Sequence, residues 1–293
     1  MPGSRLRYEV RHDLVRLFEE LITFTADSGA ATTIVEDLIL GAYSGTGATD
    51  ATSVLRGARC YIYAGTGIGQ ERRITANTQA SGTVTVAPAW TTNPDSTSQA
   101  EVHKTFPVAH INAQINRAIA DIRQDSGALV SIVPDTSILL AADTFSYTFP
   151  SNLRWVERII METQESGIYE LHNPIARELV RVEKTAQPTS SVDATYTLLL
   201  DRDRFPLVAG RRLKIYGAGP VEPLTADTSL LVEGLDSFVL HRAAYYLLSP
   251  MARGSSDASK QVWREAQLHW TESENARTRT PYIPPPGSWE VTR

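Results

Sequence analysis

Gly65-Thr-Gly-Ile-Gly-Gln-Glu-Arg-Arg-Ile-Thr75 separates two architectures. A dinucleotide fingerprint needs G-x-G-x-x-G opening a helix, and here the third glycine arrives one residue early. Glu71-Arg-Arg-Ile-Thr75 reads as a strand, so no helix N-terminus faces a phosphate, and no Gly-Lys-Ser/Thr follows. The glycines therefore mark a hairpin turn. Ala58-Arg-Cys-Tyr-Ile-Tyr63 before them and the strictly alternating Gly82-Thr-Val-Thr-Val86 after them are further strands. Residues 30–105 are thus expected to form a β module, a small hairpin or barrel.

Working outward, helical periodicity returns on both sides. Val10, Leu14, Leu17, Phe18, Leu21 and Ile22 make one apolar stripe, predicting an N-terminal helix from Arg7 to Phe24 within residues 1–29. Pro107 opens a predicted helix to Gln124, with Ile111, Ile115, Ile119 and Ile122 as a narrow seam, in a segment bounded at 106–127. Residues 128–222 are β-rich again. Phe145–Phe149, Val156–Met161, Glu178–Val182, Thr195–Leu200 and Arg212–Tyr216 are spaced as in an antiparallel sandwich. Residues 223–279 carry a helical pair. Its first stripe is Val232, Leu235, Val239, Ala243, Tyr246 and Leu247. Its second is Val262, Trp263, Ala266 and Trp270, capped by Ser256 or Asp257. The expected class is α+β: a helical core from the N-terminal, middle and C-terminal helices, with two inserted antiparallel β modules.

Residues 280–293, Thr-Pro-Tyr-Ile-Pro-Pro-Pro-Gly-Ser-Trp-Glu-Val-Thr-Arg, form an expected extended arm. Its prolines exclude a helix, yet Tyr282, Ile283, Trp289 and Val291 are side chains that a solvated tail lacks. Tyr282, Ile283, Pro284, Pro285, Pro286, Trp289 and Val291 are the candidate partner-docking residues. The competing expectation is that the arm folds back onto its own domain.

Composition excludes several function classes. The chain has 293 residues and a formal net charge of −5, which argues against a surface that grips duplex DNA phosphates. Only four of its 28 basic residues are lysine, a bias that suits interfaces and that GC-rich coding produces equally well. It lacks a run of eighteen apolar residues, and its charged N-terminus does not resemble a secretion signal. Cys60 is alone, so no intramolecular disulfide is possible and folding in a cytoplasm is expected. His12, His103, His110, His172, His241 and His269 include no i,i+4 pair for a metal. Asp201-Arg-Asp-Arg204 reads as a polar turn rather than a calcium loop. There is no Gly-x-Ser-x-Gly elbow, and Cys60 lies in an apolar strand. No catalytic, cofactor or metal residues are expected.

Gly65-x-Gly-x-Gly-Gln-x-Arg-x-Ile74, Gly82-Thr-Val-Thr-Val86, Ala89-Trp-Thr-Thr92 and Pro94-Asp95 together resemble a hairpin module of tailed-bacteriophage virion proteins. Ile111-Asn-Ala-Gln-Ile-Asn-Arg-Ala-Ile119, Gly210-Arg-Arg-Leu-Lys-Ile-Tyr216, Pro223-Leu-Thr-Ala-Asp227 and His241-Arg-Ala-Ala-Tyr-Tyr-Leu-Leu248 resemble phage head-to-tail connector (adaptor, neck) proteins. The resemblance implies a non-catalytic virion protein at the head–tail junction, assembled in the host cytoplasm. It implies a homo-oligomeric ring, typically a dodecamer, between the portal protein and a downstream tail or neck protein. Genomic DNA would pass through without specific binding, and no membrane is involved. Compact helical adaptors lack β segments of this size. The alternative expectation is a carbohydrate- or receptor-binding virion protein using the Thr/Ser-rich module, with Trp90 and Tyr63 lining a groove.

Overall fold

The computed structural model describes residues 5–42, 54–78, 81–125, 130–150, 153, 155–163, 167–170, 174–184, 196–219, 221–231, 234–254, 256–279 and 289–290. The chain divides into two compact units, Met1–Ile119 with Pro223–Thr278, and Ala120–Glu222 with Arg279–Arg293.

The first unit begins with β1 (Arg5–Leu6), α1 (Arg7–Arg16), β2 (Ile22–Thr25), β3 (Ser28–Ala30), β4 (Thr33–Val35) and α2 (Ile39–Ala42). It continues with β5 (Arg59–Ala64), β6 (Glu71–Thr78), β7 (Thr83–Ala87), β8 (Gln99–His103) and most of α3 (Val108–Asp125). The second holds β9 (Val130–Asp135), β10 (Ser146–Thr148), β11 (Trp155–Met161), β12 (Val180–Lys184), β13 (Tyr196–Leu200) and β14 (Leu213–Gly219). The chain then returns to the first unit through β15 (Leu230–Leu231), α4 (Asp236–Leu248) and α5 (Asp257–Arg279), and ends on β16 (Trp289–Glu290) in the second.

A seven-stranded antiparallel sheet, in the order β2-β8-β5-β6-β7-β4-β3, dominates the first unit. Its two terminal strands are consecutive in sequence. Between them Ala26 N–H donates to Ser98 O and Asp27 N–H to Val35 O, both at 2.8 Å. β2 and β3 are therefore two halves of one bent strand, and the sheet closes into a small barrel with no free edge. Its interior is filled by Ile22, Phe24, Ile34, Cys60, Ile62, Ile74, Val84, Val86, Trp90, Ala100 and Val102.

The resemblance motif turns out to hold this barrel together. Gln70 Oε1 accepts from Thr91 N–H (2.6 Å) and Thr92 N–H (3.2 Å), while its Nε2 donates to Gly67 O and Thr92 O. Arg72 donates to Ala89 O and Thr91 Oγ1 and lies over Trp90. Gln70 and Arg72 thus pin the 89–92 loop to the glycine turn. Gly65 (φ 77°) must be glycine, because a Cβ there would lie 1.9 Å from Thr97 O.

The second unit pairs a four-stranded sheet, β16-β11-β14-β9, with a three-stranded sheet, β10-β13-β12. Val156 and Ile159 of β11, Leu213 and Ile215 of β14, Val180 of β12 and Leu198 and Leu200 of β13 share one hydrophobic cluster.

The expected α+β class with a helical core is overturned. The described chain is built mainly on antiparallel sheets, and its two sheet-based hydrophobic clusters lie in the β units that the sequence reading treated as insertions. The physical reason is that Thr- and Ser-rich strands alternate, sending every second residue into a closed interior; low overall hydropathy hid a complete core. The N-terminal helix is also shorter than expected, ending at Arg16 rather than Phe24. Ile22-Thr-Phe-Thr25 satisfies period 2 as well as period 3.6, and pairing with β8 (Ile22 opposite Val102, Phe24 opposite Ala100) decides between them. α1 and α4 do pack against each other within the first unit.

Candidate functional site

Three features of the described residues could carry function: a buried charge cluster, the outer face of α5, and the strand formed by the C-terminal arm.

The charge cluster grows from alternation on β8. Ala100 and Val102 enter the barrel, which puts Glu101 and His103 on the outside, where burial shows them to be covered. On α1, Arg7 and Arg11 are four residues apart and share one face. Arg11 is fully buried. It donates from Nε to Glu101 Oε1 (2.6 Å) and from Nη1 to Asp227 Oδ1 (2.7 Å) and Asn112 Oδ1 (3.1 Å). Arg7 donates to the same Asp227 oxygen from Nε (3.1 Å) and Nη2 (3.0 Å), and to Leu224 O from Nη1 (2.8 Å). Tyr61 OH donates to Asp227 Oδ2 at 2.6 Å, and His12 Nε2 shares a short contact with Glu101 Oε2. His103 Nε2 lies 3.0 Å from Glu101 Oε1 without the alignment of a hydrogen bond, and its Nδ1 is buried and unpartnered.

Burial alone would raise both carboxyls. The contacts from His103 and His12 and the Arg11 charge overcome that and hold Glu101 well below the usual carboxylate range. For Asp227, Arg11, Tyr61 and Arg7 likewise outweigh burial and lower it. Burial and the bond to Asp227 push the Tyr61 hydroxyl up, and burial does the same to the Cys60 thiol. Two guanidiniums thus face two carboxylates whose oxygens are all engaged. The cluster ties α1, β5, β8 and the 224–227 segment together. It is a clamp.

α5 behaves differently. Of its described side chains only Ala266, His269 and Ser273 are buried, while Trp263 is 46%, Leu268 58% and Trp270 37% exposed. Trp263 and Trp270, seven residues apart, lie on one ridge, and Leu268 lies on another side. Trp270 is partly engaged: the Arg242 guanidinium sits 3.7 Å from its ring centroid and Tyr245 packs against it at 4.9 Å. Trp263 and Leu268 are the more exposed of the three. Beneath this face His241 Nδ1 and His269 Nδ1 meet at 3.0 Å, joining α4 to α5. Burial lowers both imidazoles, and each is further surrounded by Glu272, with Glu265 also near His269, which act in the opposite sense.

Of the sequence-predicted docking residues, Trp289 is placed: with Glu290 it forms β16, antiparallel to β11, Val156 opposite Trp289 and Trp155 opposite Glu290. At these two residues the arm pairs with its own unit, as the competing expectation had it. Tyr282, Ile283, Pro284, Pro285, Pro286 and Val291 lie outside the described residues. Trp90, the contact residue of the alternative reading, is 5% exposed inside the barrel and cannot line a groove. Tyr63 stacks on Tyr8 at 5.0 Å and meets His12 edge-on.

A cleft of about 410 Å³ in the second unit is lined by Glu162, Glu170, Pro174, Ile175 and Arg211 among others. The Glu162 carboxylate there accepts from the backbone N–H groups of Gly167 and Arg212, which makes it a loop anchor. Among the described residues no group of three or more His, Cys, Asp or Glu could hold a metal ion. None of their helices is long and apolar enough to cross a membrane.

Sequence reasoning missed Arg7, Arg11, Glu101 and Asp227. Each reads locally as a solvated charge, and the one available signal was the Arg7/Arg11 spacing of four. Comparison with protein-family models, with curated proteins and with solved structures finds no match.

Proposed function

We propose that this chain is a structural subunit of a phage head–tail junction, assembling as a ring between a portal and a tail protein, and that it works through contacts rather than catalysis. The observation that carries the reading is α5: a helix of 23 residues on which Trp263 and Leu268 remain 46% and 58% exposed, with Trp270 partly covered by Arg242 and Tyr245. Aromatic residues left exposed at this scale mark protein–protein contact surfaces. The self-satisfied charge cluster supports the same reading, because the acidic and basic groups nearest to an active-site constellation are consumed in holding α1 to the barrel. A closed ring is heterologous and needs two different patches on each subunit. α5 is one, and the C-terminal arm, engaging the portal or a neighbouring copy, is the other. A net charge of −5 suits a lumen that lets DNA pass without gripping its phosphates.

The test is a Trp263→Ser, Leu268→Ser double variant. Both residues are exposed, so the circular dichroism spectrum and melting behaviour should match the parent. Light scattering at matched concentration should show the larger species lost. Assembly as complete as the parent's would remove α5 from the interface and with it the main support for the reading.

A further inference from the structure

Cations and aromatic rings alternate along the outer face of the four-stranded sheet in the second unit. We infer that this strip, made of Arg158, Tyr216, Lys214, Tyr169 and Arg212, is a docking surface for an extended acidic segment of a partner protein, one that carries Asp or Glu at every second position. The inference holds whether or not the chain assembles as a ring.

Alternation on two strands builds the strip. Leu213 and Ile215 of β14 and Ile159 of β11 enter the hydrophobic cluster of this unit, so Lys214, Tyr216 and Arg158 point the other way, with Arg158 directly opposite Tyr216. The Arg158 guanidinium lies 4.5 Å from the Tyr216 ring centroid, and Lys214 Nζ lies 5.4 Å from Tyr216 and 5.0 Å from Tyr169. Arg212, two residues before Lys214, falls on the same face and donates from Nη1 to Thr136 O at 3.2 Å. All five side chains are half-buried or exposed.

A ring face steadies a cation through its quadrupole without neutralising the charge. Among the described residues Lys214 and Arg212 have no carboxylate partner, and Arg158 has only Glu157, whose Oε1 stands 3.8 Å from Nε. Glu162, a second acid beside the strip, is buried, and its oxygens accept from the backbone N–H groups of Gly167 and Arg212. Three cations are therefore held in place with their charge open to an anion. Lys214 and Arg212 are spaced by about 6.6–6.8 Å along the strand, and Arg158 lies diagonal to Lys214 at about 7–8 Å. An extended peptide presents alternate side chains on one face at the same repeat. Glu-x-Glu or Asp-x-Asp laid along β14 thus meets the cations in turn, and each guanidinium can grip a carboxylate bidentately. Nucleic acid fits less well. Duplex brings one charge every ~1.7 Å, and a chain of net charge −5 with three cations on this face opposes so dense a polyanion.

The experiment titrates the full-length chain, by calorimetry, with a capped Ser-Glu-Ser-Glu-Ser-Glu-Ser peptide, its Gln counterpart and a short oligonucleotide. The Glu peptide should bind, more weakly as salt rises from about 50 to about 300 mM, and the Gln peptide should bind at least about tenfold less well. An Arg158→Gln, Lys214→Gln double variant should lose about tenfold in affinity for the Glu peptide, a few-fold for each exposed ion pair. Arg181→Gln, which changes an exposed arginine paired with Glu183 on the other sheet, should bind as the parent does. Should the double variant not fold, Arg212→Gln at an exposed position should still cost a few-fold. Four results would each overturn the inference: no binding of the Glu peptide, equal binding of the Gln peptide, tighter binding of the oligonucleotide, or an affinity that the double variant leaves unchanged. Self-association of the chain that the double variant abolishes, with no peptide bound, would put a second copy on this face and overturn it as well.

Discussion

Glu101→Gln is the substitution that most directly probes the clamp. Glutamine keeps the shape and one acceptor oxygen but removes the charge that faces Arg11, which is fully buried. Arg11 would retain Asp227, itself shared with Arg7, and Asn112. Removing one partner of a buried pair costs about 3–5 kcal/mol, and because Arg11 keeps a second carboxylate we predict the low end, about 3 kcal/mol. For a unit of this size that lowers the melting midpoint by on the order of 10 °C. The comparison is Lys104→Gln, which breaks an exposed pair with Glu20 at 3.4 Å and should cost no more than about 1 kcal/mol. Thermal unfolding followed by circular dichroism reads both. Acid titration adds an independent arm. The folded Glu101 titrates below its unfolded value, so its stabilisation is present above the unfolded carboxylate range and is lost as pH falls through the folded pKa. The Gln variant should therefore show a shallower loss of stability on acidification. A Glu101→Gln protein that melts with the parent, and with the same acid slope, would refute the claim that this pair fixes α1 to the barrel.

Two other perturbations follow from the same geometry. At 3.0 Å, one of His241 and His269 donates its Nδ1–H to the bare Nδ1 of the other, and two imidazolium rings cannot share that contact. Because burial lowers both folded pKa values below the unfolded one, the pair stabilises above the unfolded histidine pKa, and the stabilisation is lost as pH falls through the folded values. We predict that a His241→Gln, His269→Gln variant loses less stability than the parent between pH 7 and 5, and equal slopes would count against it. Gly82 sits at φ 51° with a would-be Cβ 2.0 Å from Glu36 O, whereas Gly69, at φ 86°, has open space. Gly69→Ala should cost about 1–2 kcal/mol of backbone strain alone, and Gly82→Ala clearly more, in denaturant melts of the two variants.

Strict alternation identified the strand around Val84, β-type runs between turn signals identified those around Cys60 and Ile74, and Cys60 and Ile62 of the first enter the barrel interior. Helical stripes located α3, α4 and α5 to within a few residues. Tertiary pairing was invisible. Ile22–Thr25 joins β8 across more than seventy residues, and nothing local to the Leu17–Phe24 stripe distinguishes a helix from a strand waiting for its partner. Barrel closure is hidden for the same reason, since it depends on two halves of one strand bonding to opposite neighbours. The charge cluster was illegible because Arg11, Glu101 and Asp227 are brought together only by the fold. Trp263 and Trp270 were read as members of one stripe with Val262 and Ala266, but of these only Ala266 is buried, and it is joined by His269 and Ser273, which that stripe did not include.

On the proposed reading this chain works as one of many identical copies. Negative-stain images of the purified chain, taken over a range of concentrations with and without a portal protein, decide whether it does. Closed annuli of uniform diameter are expected, twelve-fold if the connector resemblance holds. Single particles of a 32.2 kDa chain under every condition, including with portal present, would rule out the ring.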